Sequence, residues 1–107
     1  MKDRYRVKIK VLKKLTPEQI YGSKPDDVAP YFDCYCPKIP EDHEYMVEEN
    51  GSMPEGFCSW AWHDILHFVS VLRLGGNCRW TVGKNKAYAC CSDGLRPVFF
   101  KLERIND

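Results

Sequence analysis

The sequence predicts an α+β fold: a single antiparallel sheet of about five strands, one long helix packed across one face, and a long proline-rich loop. Three observations predict it. Tyr5 to Leu12 alternates apolar and basic residues with period two. Residues 59–74 carry the one long helical pattern. Short strand-like runs joined by glycine-containing turns fill the C-terminal third. A half-apolar sheet and an amphipathic helix each need a partner, and packing one on the other is the simplest way to bury both. The 107 residues fit one domain over 1–107.

Each element has its own signal. Tyr5, Val7, Ile9 and Val11 share one face of the first strand, with Arg6, Lys8 and Lys10 on the other. Thr16-Pro17-Glu18-Gln19 suits a short helical turn, Thr16 as N-cap and Pro17 at the first position. Residues 22–42 hold Pro25, Pro30, Pro37 and Pro40 and form the irregular loop. Tyr31, Phe32 and Tyr35 give it apolar surface to dock, with Cys34 and Cys36 inside or under it. His43 to Glu48 reads as a second strand, and Asn50-Gly51 as a turn.

The main helix is expected over about 59–74. Ser52-x-x-Glu55 resembles a capping box for its entry, although Gly56 just after it costs about 1 kcal/mol relative to alanine in a helix. At 100° per residue, Cys58, Ala61, Trp62, Ile65, Phe68, Val69 and Leu72 fall on one broad face, and Ser59, His63, His67 and Ser70 opposite. Trp60, Asp64 and Val71 form a third stripe, and Gly75-Gly76 stops the helix. Arg79 to Val82, Lys86 to Cys91 and Arg96 to Arg104 then read as strands.

Composition limits function. Hydrophobic residues make up 44%, which suits a globular chain. Sixteen basic against fifteen acidic residues give a formal charge of +1. That balance points to no nucleic-acid partner and no membrane partner. The basic start, Met1 to Arg6, leads into no apolar core, and no run approaches the ~18–20 apolar residues of a membrane span, so the expected location is cytoplasmic.

The six cysteines, Cys34, Cys36, Cys58, Cys78, Cys90 and Cys91, then read as thiols, metal ligands or catalytic groups before disulfides. No C-x-x-C occurs. Cys58 lies at the start of the main helix, where free backbone N–H groups and the helix dipole favour a thiolate. It lies equally on the apolar helix face, where an inert core thiol is the plain reading. Ala87, Ala89 and Cys91 share a strand face small enough for a close helix, which aims Cys91 toward Cys58 and Cys90 the other way with Tyr88. Cys36, Cys58, Cys90 and Cys91 could together supply sulfur ligands to zinc or an iron centre. His63-x-x-x-His67 has metal-site spacing, but its helix face carries no carboxylate ligand and reads better as a solvated face. Asp93-Gly94-Leu95-Arg96-Pro97 places an acid and a guanidinium in one turn. Arg96 suits a carboxylate or phosphate, or pairs locally. Trp60 is the tryptophan best placed to line a ligand pocket.

Cys36-Pro37, Pro54-Glu55-Gly56-Phe57-Cys58-x-Trp60-Ala61-Trp62-x-Asp64-Ile65, Cys90-Cys91-x-Asp93-Gly94-Leu95-Arg96-Pro97-Val98 and Lys101-Leu102-Glu103-Arg104-Ile105 carry a resemblance. Through them, from the first strand to Ile105, the chain resembles a family of small cytosolic proteins found mostly in anaerobic bacteria and archaea. The resemblance implies no activity or cofactor. It implies that the cysteines and the Asp93–Arg96 turn recur as motif positions, whereas Cys34, Cys78, His43, His63 and His67 lie outside them. An anaerobic setting favours reduced thiols and oxygen-sensitive metal centres.

These readings converge on a small cytosolic binding domain with a cysteine-centred site. In it Cys36, Cys58 and one or both of Cys90 and Cys91 hold a metal ion (zinc or iron) or present a redox-active thiol. Trp60, Asp64, Asp93 and Arg96 line the adjacent pocket. The alternative is a small enzyme with Cys58 as nucleophile or acid, Asp64 or Asp93 as general base and Arg96 as anchor for an anionic or aromatic small molecule. A third reading is a structural or partner-binding protein with inert core cysteines, associating through the Trp60 stripe, including with a second copy of itself.

Overall fold

The computed structural model describes residues 2–31 and 34–106. Four strands form one antiparallel sheet in the order β2-β1-β4-β3: β1 (Arg6–Lys14), β2 (Glu44–Val47), β3 (Lys86–Cys90) and β4 (Val98–Ile105). A short helix α1 (Pro17–Tyr21) follows β1, and the main helix α2 (Ser59–Arg73) lies between β2 and β3. Among the described residues the sheet thus has four strands rather than about five. Among the described residues, no helix is long and apolar enough to cross a membrane.

The missing strand is Arg79–Val82. Its apolar alternation is not matched by burial, since Trp80 is 67% exposed and Val82 95%. Nested turns take its place: Thr81 N–H donates to Cys78 O, Lys84 N–H to Thr81 O, and the Thr81 hydroxyl to both Cys78 O and Lys86 O. These bonds curl the segment back on itself into turns in place of an extended strand.

The core lies between the sheet and α2, which packs on β3, β4 and β1. Val7, Ile9, Val11, Val47, Ala87, Val98, Phe100 and Leu102 face Ala61, Ile65, Val69 and Leu72. Ala87, fully buried, allows the helix close to β3, as the run of small residues there implies. Trp62 and Phe68 pack at the margin, while His63 and His67 are exposed.

The start of α2 is built differently from the expected one, while α1 has its expected Thr16 cap with Pro17 at the first position. A capping box does form, but at α1: the Thr16 hydroxyl accepts from Gln19 N–H while the Gln19 side chain accepts from Thr16 N–H. At α2 the N-cap is Cys58, with no side-chain cap bond, and Ser52-x-x-Glu55 lies before the helix. The α2 C-terminus follows the Gly75-Gly76 signal. Gly75 N–H donates to Leu72 O and Gly76 N–H to Val71 O, with Gly75 at φ +91°. A Cβ on Gly76 would lie 2.9 Å from the Val71 carbonyl oxygen. Arg104 of β4 completes this end, donating to Leu72 O, Gly76 O and Asn77 Oδ1 with its guanidinium over the Tyr5 ring.

Candidate functional site

One irregularity in β1 sets up the site. The β1–β4 register shifts between Val11 and Lys13, which pair with Phe100 and Phe99, so Leu12 is an extra residue. Without this bulge, alternation would turn Lys13 toward the core and Lys14 away. With it, Lys14 falls opposite buried Val98 and takes the inner face. Its ammonium then donates to the carbonyls of Cys36 (2.6 Å) and Ile39 (2.7 Å). Those two bonds, with fully buried Ile39, fasten the proline-rich loop to the sheet. Gln19 adds a bond to the Tyr35 hydroxyl at 3.3 Å.

The second wall is the turn after β3. Cys91 N–H donates to Val98 O, and Val98 N–H donates back to Cys91 Sγ at 3.2 Å. Inside that closure, Asp93 Oδ1 accepts from Leu95 N–H and Arg96 N–H, fixing an Asx turn. The turn is also tied outward. Tyr21 donates to Gly94 O (2.8 Å), Ser92 N–H donates to Asp64 Oδ2 (2.7 Å), and the Trp60 indole N–H donates to Ser92 Oγ (3.0 Å). The helix stripe of Trp60 and Asp64 is therefore a bracket for the 91–97 turn.

The third wall is the start of α2. Phe57, buried against the rings of Tyr45, Phe100 and Trp62, anchors the entry and fixes Cys58 at the N-cap. Cys58 is half-buried beside the backbone N–H groups of the first turn, which have no partner within the helix.

The three walls enclose an open cavity of about 490 Å3. Cys36, Cys58 and Cys91 line it, brought together from positions far apart in the chain. Trp60, Ile39, Leu95 and Val98 give it apolar sides, and Lys38, Asp93 and Arg96 are its charged members. Burial pushes the Cys91 thiol up from its ordinary range. The backbone N–H groups of Asp93 and Val98 act the other way, and the charges of Asp93 and Cys36 raise it further. Of the three cavity cysteines, Cys91 is the buried back wall, while Cys36 and Cys58 are half-buried.

No family model, curated protein or solved structure matches this chain.

Of the residues singled out by sequence, Cys36, Cys58, Trp60, Cys91, Asp93 and Arg96 share the cavity. Cys90 does not. It is exposed on the opposite face of the sheet with Tyr88, because consecutive strand residues alternate. Asp64 lies outside too, in a cleft on the far side of Trp60 with Ser59, His63 and Ser92. Among the described residues, no three His, Cys, Asp or Glu side chains are grouped so as to hold a metal ion. Asp64 and Asp93 both accept from backbone N–H groups and so brace the turn. Sequence reasoning missed Lys14, Lys38 and Ile39. Ile39, set between Pro37 and Pro40, carried a usable signal as an apolar residue able to dock the loop. Lys14 carried none, since only the bulge turns it inward.

Proposed function

We propose that this chain is a binding domain for a small aromatic or apolar molecule with an anionic group. Cys58 is the reactive thiol of the site and Arg96 the anchor for the anion. The observation that carries the reading is the single cavity shared by Cys36, Cys58, Trp60, Cys91, Asp93 and Arg96. Its volume suits a small-molecule ligand, and its walls are mainly apolar with a few polar groups, as in ligand sites generally. Cys58 supports the thiol role by its partial exposure and its place at the N-cap of α2, on the cavity wall. The residues that carry the family resemblance in three of its four motifs supply most of the lining, which is consistent with one shared site.

The thiol reading is favoured over the metal reading because the three sulfurs that line the cavity do not form a ligand group among the described residues. The general-base role of the enzyme reading is weakened by the bonds that Asp64 and Asp93 already make.

Calorimetric titration with 2-naphthoate tests the proposal. The expected result is one equivalent bound, with Arg96→Gln weakening binding at least about tenfold, the loss of a charge-assisted contact. The neutral 2-naphthamide should bind the wild-type chain more weakly by a similar factor. Equal affinity of wild type and Arg96→Gln for the anion, or no saturable binding, would refute it.

A further inference from the structure

The open face of the sheet sorts charge in a way that the net charge of +1 conceals. Val7, Ile9, Val11, Ala87, Phe100 and Leu102 are buried toward α2, so the residues between them face away from it. On that outer face the strands place Arg6, Lys8, Lys10, Lys13, Lys86 and Lys101 against Glu44 and Glu103. Many of the remaining acids, among them Asp26, Asp27, Glu41 and Asp42, belong to the proline-rich loop.

The register makes the imbalance specific. Lys8 has Glu103 at 3.9 Å, and Glu44 lies across Lys10 at the outer β2 edge. The cross-strand neighbours of Lys101 are instead Lys10 and Tyr88. Two ammonium groups set opposite each other disfavour a sheet. The same juxtaposition favours a bound anion.

Beside this basic row lies an aromatic surface. Tyr88 is 55% exposed. Half-buried Phe99 sits diagonally from it, since Tyr88 faces Lys101 and Cys90 faces Phe99. Lys13 lies opposite Phe99 on the other side. Leu12, Tyr88, Cys90 and Phe99 border a shallow cup of about 190 Å3. The extra residue of the bulge, Leu12, is therefore part of this cup, while the same bulge turns Lys14 to the other face.

Cations interleaved with ring faces match one polymer well. A single nucleic-acid strand lays its phosphates along the cations and stacks its unpaired bases on the aromatics. A duplex keeps its bases stacked on one another and cannot use Tyr88 in this way. A second copy of the chain, face to face, would oppose two basic surfaces. We infer that the open sheet face binds single-stranded nucleic acid, with Lys10, Lys13 and Lys101 on phosphates and Tyr88 and Phe99 stacking on bases. The near-neutral composition, which points away from such a partner, averages over charges that the fold separates.

Fluorescence anisotropy with labelled eight-nucleotide oligo(U) and oligo(dT), and with a duplex of equal length, tests this on the whole chain. Binding of either single strand should be tighter than that of the duplex and should weaken between 50 and 200 mM salt, as phosphate contacts require. Tyr88→Ala should weaken it roughly 5- to 150-fold, the range for one lost base stack. Lys101→Gln should weaken it and reduce the salt slope by about one. Tyr88→Ala should leave 2-naphthoate binding unchanged, because the cavity lies on the other face, and an unchanged melting temperature excludes unfolding as the cause. The inference is overturned by no binding at 50 mM salt or by duplex binding as tight as single-strand binding. Binding unchanged in Tyr88→Ala would also overturn it, as would retention on phosphatidylserine vesicles with no oligonucleotide bound.

Discussion

Replacing Lys14 with methionine keeps the length of the side chain and removes its ammonium. In the native fold that ammonium donates to two loop carbonyls, Cys36 O at 2.6 Å and Ile39 O at 2.7 Å, from a half-buried position. Hydrogen bonds to charged groups contribute about 1.5–3 kcal/mol each in buried settings. The freed carbonyls here can turn to water, so the net loss for the pair falls below the sum of two such bonds, at about 2 kcal/mol. The loss falls on the attachment of the loop, because β1 keeps its ladder to β2 and β4. At about 1.4 kcal/mol per tenfold, the detached population rises roughly 30-fold. Limited proteolysis reads that population directly when reclosing is faster than cleavage. Cleavage within 34–42 should therefore accelerate about 30-fold in Lys14→Met, and 2-naphthoate, which needs the loop as one wall of its cavity, should protect the wild type more than the variant. Cleavage at the wild-type rate would show that the loop is held by other contacts and that the bulge has no part in building the site.

Other perturbations have equally definite outcomes. Arg104→Ala removes the group that satisfies the last carbonyls of α2 and lies over Tyr5, and should cost about 2 kcal/mol, lowering the melting temperature by roughly 8–16 °C, with Arg104→Lys recovering part of it. Burial raises the Cys91 thiol, so its linkage contribution to stability is complete below the unfolded thiol value of about 8.5 and is lost as pH rises through the higher folded value. Urea midpoints measured from pH 7 to 10 should fall more steeply for wild type than for Cys91→Ala, and parallel slopes would contradict the assignment. Asp64→Ala removes the acceptor for Ser92 N–H and should loosen the 91–97 turn, costing about 1 kcal/mol in global stability while weakening 2-naphthoate binding.

Much of the scaffold was legible because it follows local periodicity. The alternation of Tyr5 to Leu12, the apolar face of α2, the Gly75-Gly76 stop and the small residues Ala87 and Ala89 all report packing that their neighbours alone decide. The segment Arg79–Val82 was misleading for the same reason. Trp80 and Val82 alternate like a strand, but alternation signals a strand only when one face is buried, and both side chains point to solvent. The cysteines were legible as chemistry and not as geometry. Cys36, Cys58 and Cys91 meet because β4 pairs with both β1 and β3 and because Lys14 ties down the loop, contacts between residues far apart in sequence. Cys90 is separated from them by strand alternation, which favours Cys91 on the helix side. Lys14 and Arg104 were invisible as structural residues, since one reads as a basic residue past the end of the first strand and the other as the basic end of the last, until the register assigns their partners.

The measurement closest to the central claim is mass-mapped alkylation of the six cysteines by iodoacetamide with and without saturating 2-naphthoate. The cavity predicts that the ligand slows modification of Cys36 and Cys58, leaves exposed Cys34 and Cys90 at their free rates, and finds buried Cys91 slow in both conditions. Cys58 modified equally fast with and without ligand, or Cys90 protected as strongly as Cys58, would contradict a thiol-lined binding site between the loop, the helix start and the 91–97 turn.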